Sequence, residues 1–112
     1  MELIKIYYEQ KRRRERLKDF RRNLGYFYVR LDNLYKALDK ADAMDNDPEC
    51  EAKLKAIRYH ADMCRNRAIQ LENAMDEGNY QRAVALRDTL LIEDEKLRKA
   101  ASELTGTTAI TA

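Results

Sequence analysis

A run of cations near the start of the chain is the stretch best suited to binding a charged partner. The basic patch consists of Lys11, Arg12, Arg13, Arg14, Arg16, Arg21 and Arg22. Basic side chains along one helix can bind phosphates, and each contact adds to a salt-dependent affinity. The interleaved Glu9, Glu15 and Asp19 can instead pair with the arginines at helical spacing, which predicts a solvated charged face. Both interpretations stay open.

The residues before this patch are apolar on several faces of the same predicted helix. Leu3, Ile6 and Tyr7 are its most prominent members. An apolar helix end without a packing partner is marginal in water, so we expect it to dock on the same end of another copy or on another protein. The predicted partner or oligomer interface comprises Leu3, Ile6, Tyr7, Tyr28, Tyr35 and Leu91.

The tyrosines of that interface follow a regular spacing. Tyr7, Tyr28 and Tyr35 share one heptad position, with Arg14 and Arg21 at the same position between them. Aromatic rings interleaved with arginine can stack nucleic-acid bases. A stripe of this kind also flanks helical cores, with the ring buried and the hydroxyl exposed, or contacts a partner protein. The second interpretation is favoured.

No arrangement of residues indicates catalysis, a metal site or a cofactor. His60 is the only histidine, and its neighbour one turn on, Cys64, lies on a core seam, so the two do not make a zinc site. The chain offers no nucleophile dyad, no isolated acid/base pair and no glycine-rich phosphate loop. Residues 93–95 (Glu-Asp-Glu) are expected to be solvated. We therefore predict a non-enzyme with no small-molecule substrate.

Composition indicates one all-α domain. The 112 residues are 38% charged and include only three Gly and one Pro, so helix formers dominate. Residues 1–23 carry nine Lys or Arg against four Asp or Glu, whereas the rest of the chain is mildly acidic. Cys50 and Cys64 are about 21 Å apart along one helix and cannot bridge. Without a signal peptide or a membrane span, this predicts free thiols in a reducing cytoplasm.

An unbroken heptad seam predicts the first helix. Apolar side chains recur at alternating three- and four-residue steps from Leu17 to Ala41, as in helices packed against other helices. This helix is expected to run from Glu2 to Met44. Asp47 and Pro48 predict the start of a second helix over 48–76, and Gly78 with Asn79 predicts a turn into a third helix over 80–104. Residues 105–112 are expected to be a flexible tail.

The lengths of these helices predict an overhang. Two short connections give an up-down-up, antiparallel three-helix bundle. The second helix spans about 42 Å and cannot cover a first helix of about 60 Å. Residues 1–16 should therefore project from a bundle formed by residues 17–104. The heptad seam independently fails in this region, at Gln10 and Arg13.

Residues 78–90 carry a short family pattern. Tyr80 is followed by Ala83 and then by Leu86-Arg87-Asp88. This run resembles the second helix of the UVR-type hairpin, which in that family is a protein-docking unit of DNA-repair and protease-adaptor proteins. The acidic residue usual after the aromatic is Gln81 here, and the preceding helix departs from the family's first helix. The resemblance covers about a dozen residues and assigns no family, but it implies a binding module.

Three functions are compatible with these features. The preferred prediction is a helical protein-protein interaction or assembly module that acts through its projecting N-terminal helix. The alternative is a nucleic-acid-binding accessory protein that uses the basic stretch 11–22. The third is a small protein inhibitor of a larger enzyme or complex.

Overall fold

Three α-helices follow one another in the computed structural model, which describes residues 2–105. They are α1 (Glu2–Asp42), α2 (Pro48–Asp76) and α3 (Tyr80–Thr105). This confirms the predicted all-α, up-down-up bundle with a projecting first helix. Within the described range, no helix is both long and apolar enough to cross a membrane. Met1 and the predicted tail, apart from Thr105 in α3, lie outside the described residues.

The first turn is closed by two side chains. α1 ends at Asp42, two residues before the expected Met44, and the Asn46 side-chain amide donates to the carbonyls of Ala41 (2.7 Å) and Met44 (3.1 Å). These bonds tie Asn46 back to the end of α1, where the Ala41 carbonyl also accepts from the Met44 amide at 3.1 Å. Asp47 is the N-cap of α2, as predicted, because its carboxylate accepts from the Cys50 amide at 2.7 Å.

The second turn depends on a left-handed glycine. Gly78 has a φ of +70°, a conformation that costs a side-chain-bearing residue energy. The Asn79 amide donates to the Ala74 carbonyl at 2.9 Å, which closes the end of α2. Asn79 then caps α3, since its side-chain oxygen accepts from the Arg82 amide at 3.1 Å. Both roles match the sequence prediction.

The core follows the predicted seams. Each helix contributes a row of buried side chains, and in α3 the row repeats every seven residues: Ala83, Leu90, Leu97 and Leu104. The small residues of α2 are fully enclosed, with Ala61, Cys64 and Ala68 at 0% exposure. Small side chains allow the bulkier residues of neighbouring helices to approach α2 closely. The most extensive helix pair is α2 with α3, and α1 contacts α2 more than α3.

Long-range pairs define how the helices run. Arg16 contacts Tyr80 and Arg30 contacts Asp94, so α1 and α3 are parallel with one constant offset of 64 residues. Tyr80 begins α3 beside Arg16, and Asp76 ends α2 beside Arg21, so neither partner helix extends beyond the level of Arg16. The residues of α1 before this level extend beyond the bundle, which gives the molecule its 66 Å length and widths of 21 and 18 Å.

Candidate functional site

The projecting end of α1, which we call the overhang and define as residues 2–16, is exposed throughout. Every residue in it is solvent-exposed, Leu17 is the first to be partly buried, and Phe20 is the first to be buried. Five large apolar side chains here keep about half or more of their surface in water: Leu3 (81%), Ile4 (56%), Ile6 (49%), Tyr7 (55%) and Tyr8 (57%). The overhang thus combines helical order with an unburied apolar end.

The structure does not bring all the predicted interface residues together. Leu3, Ile6 and Tyr7 lie at the overhang, whereas Tyr28 and Tyr35 lie within the bundle beside α2. Tyr28 is 21 residues beyond Tyr7, which is about 31 Å along the helix axis. Leu91 lies on α3, is 53% exposed, and lines a groove between α1 and α3.

Tyr28 and Tyr35 bind acidic residues of α2 through their hydroxyl groups. The Tyr28 hydroxyl donates to Glu72 at 3.0 Å, and the Tyr35 hydroxyl donates to Asp62 at 2.6 Å. Burial first, and then the hydrogen bond and the negative charge of the acceptor, raise the pKa of each tyrosine from 10.0 to about 12. Both rings also pack against the core, so these two residues serve the bundle.

The basic patch divides into paired and unpaired residues. Two of its arginines contact Tyr80. Arg16 donates to the Tyr80 hydroxyl at 2.9 Å, and the Arg13 guanidinium lies 5.2 Å from the centre of the ring. Arg21 pairs with Asp76 of α2 at 2.8 Å.

Arg22 pairs with Asp19 on the same helix, also at 2.8 Å. Lys11, Arg12 and Arg14 form no ion pair with any other residue in the range 2–105. The structure therefore leaves three cations of the patch fully available to an outside partner.

A buried acidic pair on α3 differs from the expectation of a solvated face. Glu93 and Asp94 are only 9% and 8% exposed. Asp94 pairs with Arg30 of α1 and accepts from Arg98 Nε at 3.1 Å, while Glu93 lies 3.6 Å from the Lys96 ammonium. One feature of the sequence indicates this burial: Glu93 interrupts the apolar stripe of α3, where a charged side chain needs a counterion.

Burial, together with the adjacent acidic pair, suppresses ionisation of the Cys64 thiol. Cys64 is fully enclosed, and burial, followed by the negative charges of Asp94 and Glu93, raises its pKa to about 12. A thiol in this setting stays protonated and is a poor nucleophile. Cys50 is partly exposed, and its sulfur lies 3.5 Å from the Asn46 side-chain oxygen.

His60 lies at the edge of the α2 core face. Its ring makes an edge-on contact with Tyr59, with centroids 5.3 Å apart, and its Nδ1 is buried without a hydrogen bond. Among residues 2–105, no group of three His, Cys, Asp or Glu side chains is close enough to hold a metal ion.

Comparisons of the chain with protein-family models, with curated proteins and with solved structures find no match in any of the three.

Proposed function

We propose that this chain is a non-enzymatic helical interaction and assembly module that binds another protein, or a second copy of itself, through the overhang. One observation carries the proposal: the five large apolar side chains between residues 3 and 8 have no core to enter. Leu3 is the clearest case, since 81% of its surface meets water. Burying one such Leu or Ile in an interface contributes about 1.5–3 kcal/mol.

Helical continuity supports the same proposal. A free helix of this length would be marginal in water, because starting a helix costs more than extending one. Here the bundle supplies the start, and α1 continues without a break from Asp42 back to Glu2. A partner therefore meets an ordered surface, and the overhang itself loses little conformational entropy on binding.

Nucleic-acid binding is the second candidate, and the unpaired Lys11, Arg12 and Arg14 favour it. These cations are exposed on about one turn of helix and can contact phosphates. Arg21 and Arg22 form ion pairs with carboxylates, which offsets two positive charges of the patch, while Arg13 and Arg16 keep their charge but are held against Tyr80. Protein docking consequently has the stronger support. Inhibition of a larger enzyme would use the same overhang and stays a prediction.

The test compares two double variants, each of which replaces two exposed apolar side chains with glutamine. Leu3→Gln/Ile6→Gln removes the apolar end of the overhang, and Val29→Gln/Met44→Gln removes similarly exposed apolar groups elsewhere (60% and 69%). The molar mass is measured by light scattering after size exclusion, at ~50 mM and ~0.5 M salt, with absorbance at 260 and 280 nm. The immobilised proteins are then compared for what they retain from a cell extract.

Loss of self-association or of a retained protein only in the overhang variant is the expected result. If both variants behave like the parent, the overhang is not a docking surface. Excess 260 nm absorbance that salt removes would favour nucleic-acid binding instead.

A further inference from the structure

One row of residues along α1 presents hydrogen-bond donors every seven positions. The donor row consists of Tyr7, Arg14, Arg21, Tyr28 and Tyr35. Residues seven apart lie on nearly the same side of a helix, so the row follows one edge of α1 over its length.

Inside the bundle, every member of the donor row meets a carboxylate of α2. Arg21 donates to Asp76 at 2.8 Å, Tyr28 to Glu72 at 3.0 Å and Tyr35 to Asp62 at 2.6 Å. As the residue number rises along α1, that of its partner falls along α2, which is the order expected of antiparallel helices. This edge of α1 is therefore matched to an acidic edge on a helix of opposite direction.

The last two members of the row lie where α2 has ended. Asp76 is the final residue of α2 and pairs with Arg21, so Arg14 and Tyr7 are one and two steps beyond the end of the acidic helix. In the described part of the chain, neither the Arg14 guanidinium nor the Tyr7 hydroxyl has a hydrogen bond to a carboxylate. The Tyr7 ring makes an edge-on contact with the neighbouring ring of Tyr8, at a centroid distance of 5.5 Å.

The apolar seam beside the row is also left without a cover. In the bundle, Leu24, Leu31 and Leu38 are buried next to the donor row at 5%, 2% and 3% exposure. Leu3 continues this row of leucines onto the overhang and is 81% exposed. Ile6 belongs to the other row of the seam and is 49% exposed. The first turns of the overhang thus repeat the combination that holds α2, apolar seam residues beside a donor, and no helix of the described chain receives them. The seam turns polar at Gln10 and Arg13, where Arg14 is the neighbouring donor.

We propose that the overhang binds an acidic amphipathic helix of another protein, antiparallel to α1. Its apolar side chains cover Leu3 and Ile6, and its carboxylates accept from Tyr7 and Arg14. This inference rests on the proposed function and names the chemistry of the partner. The overhang is about 22 Å long, enough for four turns of a partner helix.

Charge decides between this partner and a second copy. Residues 2–16 carry six Lys or Arg and three Glu, so each overhang is net positive and two of them repel. Glu2 and Glu9 lie on the opposite side of the apolar seam from the donor row. They share a heptad position with Arg16, which contacts Tyr80 of α3. The partner helix therefore needs carboxylates only along the edge that faces the donor row.

The experiment uses synthetic helical peptides of three heptads as probes. The acidic peptide has Leu along its seam, Glu along one edge and Gln along the other. A neutral peptide replaces each Glu with Gln, and a basic peptide replaces each Glu with Lys. Binding of labelled peptide to the full chain is measured by fluorescence anisotropy, and the molar mass of the chain alone is measured in parallel.

Two protein variants locate the binding site. Tyr7→Phe/Arg14→Gln removes the two free donors but keeps the aromatic ring. Tyr26→Phe/Lys18→Gln also removes one tyrosine hydroxyl and one positive charge, at exposed positions of α1 outside the overhang. We expect the acidic peptide to bind, the first variant to weaken it about three- to tenfold, and the second to weaken it less than about twofold.

The other outcomes separate the two proposals. Equal binding of acidic and neutral peptides would overturn the inference but leave the overhang as a protein-docking surface. A dimer that Leu3→Gln/Ile6→Gln dissociates would show that a second copy is the occupant. If no peptide binds the monomer, the inference is wrong. Binding of duplex DNA with a steep salt dependence, in place of any peptide, would overturn the proposed function as well.

Discussion

Arg30 of α1 and Asp94 of α3 form an ion pair that joins two parallel helices across 64 residues of sequence. The Asp94 side chain is 12% exposed and also accepts from Arg98, whereas the Arg30 side chain is 45% exposed. A carboxylate held this far from water is stable only with its counterions in place. The pair therefore fixes the lengthwise position of α1 against α3.

Asp94→Asn tests the strength of this link. The substitution keeps the shape of the side chain but removes the charge that Arg30 and Arg98 share. We expect the free energy of unfolding, measured by urea denaturation, to fall by about 1–3 kcal/mol, less than for a fully buried pair because Arg30 is partly solvated. Asp88→Asn is the control, since that side chain is 63% exposed. An equal loss in both variants would contradict this role.

Tyr28 and Tyr35 make the bundle sensitive to strongly alkaline solution. A tyrosine in the unfolded chain ionises near pH 10, while the pKa of each of these two in the fold is about 12. Because the folded pKa is higher, their stabilisation is complete below pH 10 and is lost as the pH rises through 12. We expect the urea midpoint to fall over this range.

The fall should be smaller in Tyr28→Phe/Tyr35→Phe than in Tyr26→Phe/Tyr59→Phe, whose side chains are exposed (71% and 61%). Identical pH dependence in the two double variants would show that the α2 carboxylates do not hold the tyrosines protonated.

The two cysteines should differ in reactivity. Cys64 is enclosed and its pKa is raised to about 12, so little thiolate forms near neutral pH. We expect a disulfide reagent to modify Cys50 first and to reach Cys64 only as the bundle unfolds. The Cys50→Ser variant leaves Cys64 as the reactive thiol, and the rate of its modification should rise sharply with urea. Rapid modification of Cys50→Ser in buffer would mean that the core around Cys64 opens readily.

Gly25 offers a stabilising substitution. It lies within α1, and a Cβ added there would meet nothing within 4 Å. Gly25→Ala should therefore raise the free energy of unfolding by about 0.5–1 kcal/mol, through the better helix propensity of Ala. Gly78→Ala should lower it by a similar amount, since Gly78 has a φ of +70°. Thermal melts followed by circular dichroism check both signs, and destabilisation by Gly25→Ala would contradict the open space around it.

Much of the fold follows from periodic signals in the sequence. The heptad seam, the Asp47 cap and Gly78 identify the helices and turns because each is a local feature with a strong preference. The end of α1 was placed two residues late, since the capping role of Asn46 depends on where the chain turns back. Boundaries of this kind depend on geometry that propensity alone does not describe.

The site was less predictable because it depends on contacts between distant residues. The regular spacing of Tyr7, Tyr28 and Tyr35 was evident from the sequence, but the different surroundings of its members were not. Similarly, Asp94 looks like a surface residue until the register of α3 against Arg30 is known. Sequence separation of 64 residues leaves such a pairing without any local signal.

The length of the molecule also governs how it moves in solution. At 66 Å by 21 Å by 18 Å, it is roughly three times longer than wide, and its radius of gyration of 18.1 Å exceeds the ~13 Å of a globular chain of this size. Such a rod tumbles slowly end over end and quickly about its axis. The amide bonds of all three helices lie nearly along that axis, so their NMR relaxation reports the slow rotation. A helix bound beside the overhang would add volume at one end of the rod and slow its end-over-end rotation, and the relaxation of these amides would report its arrival.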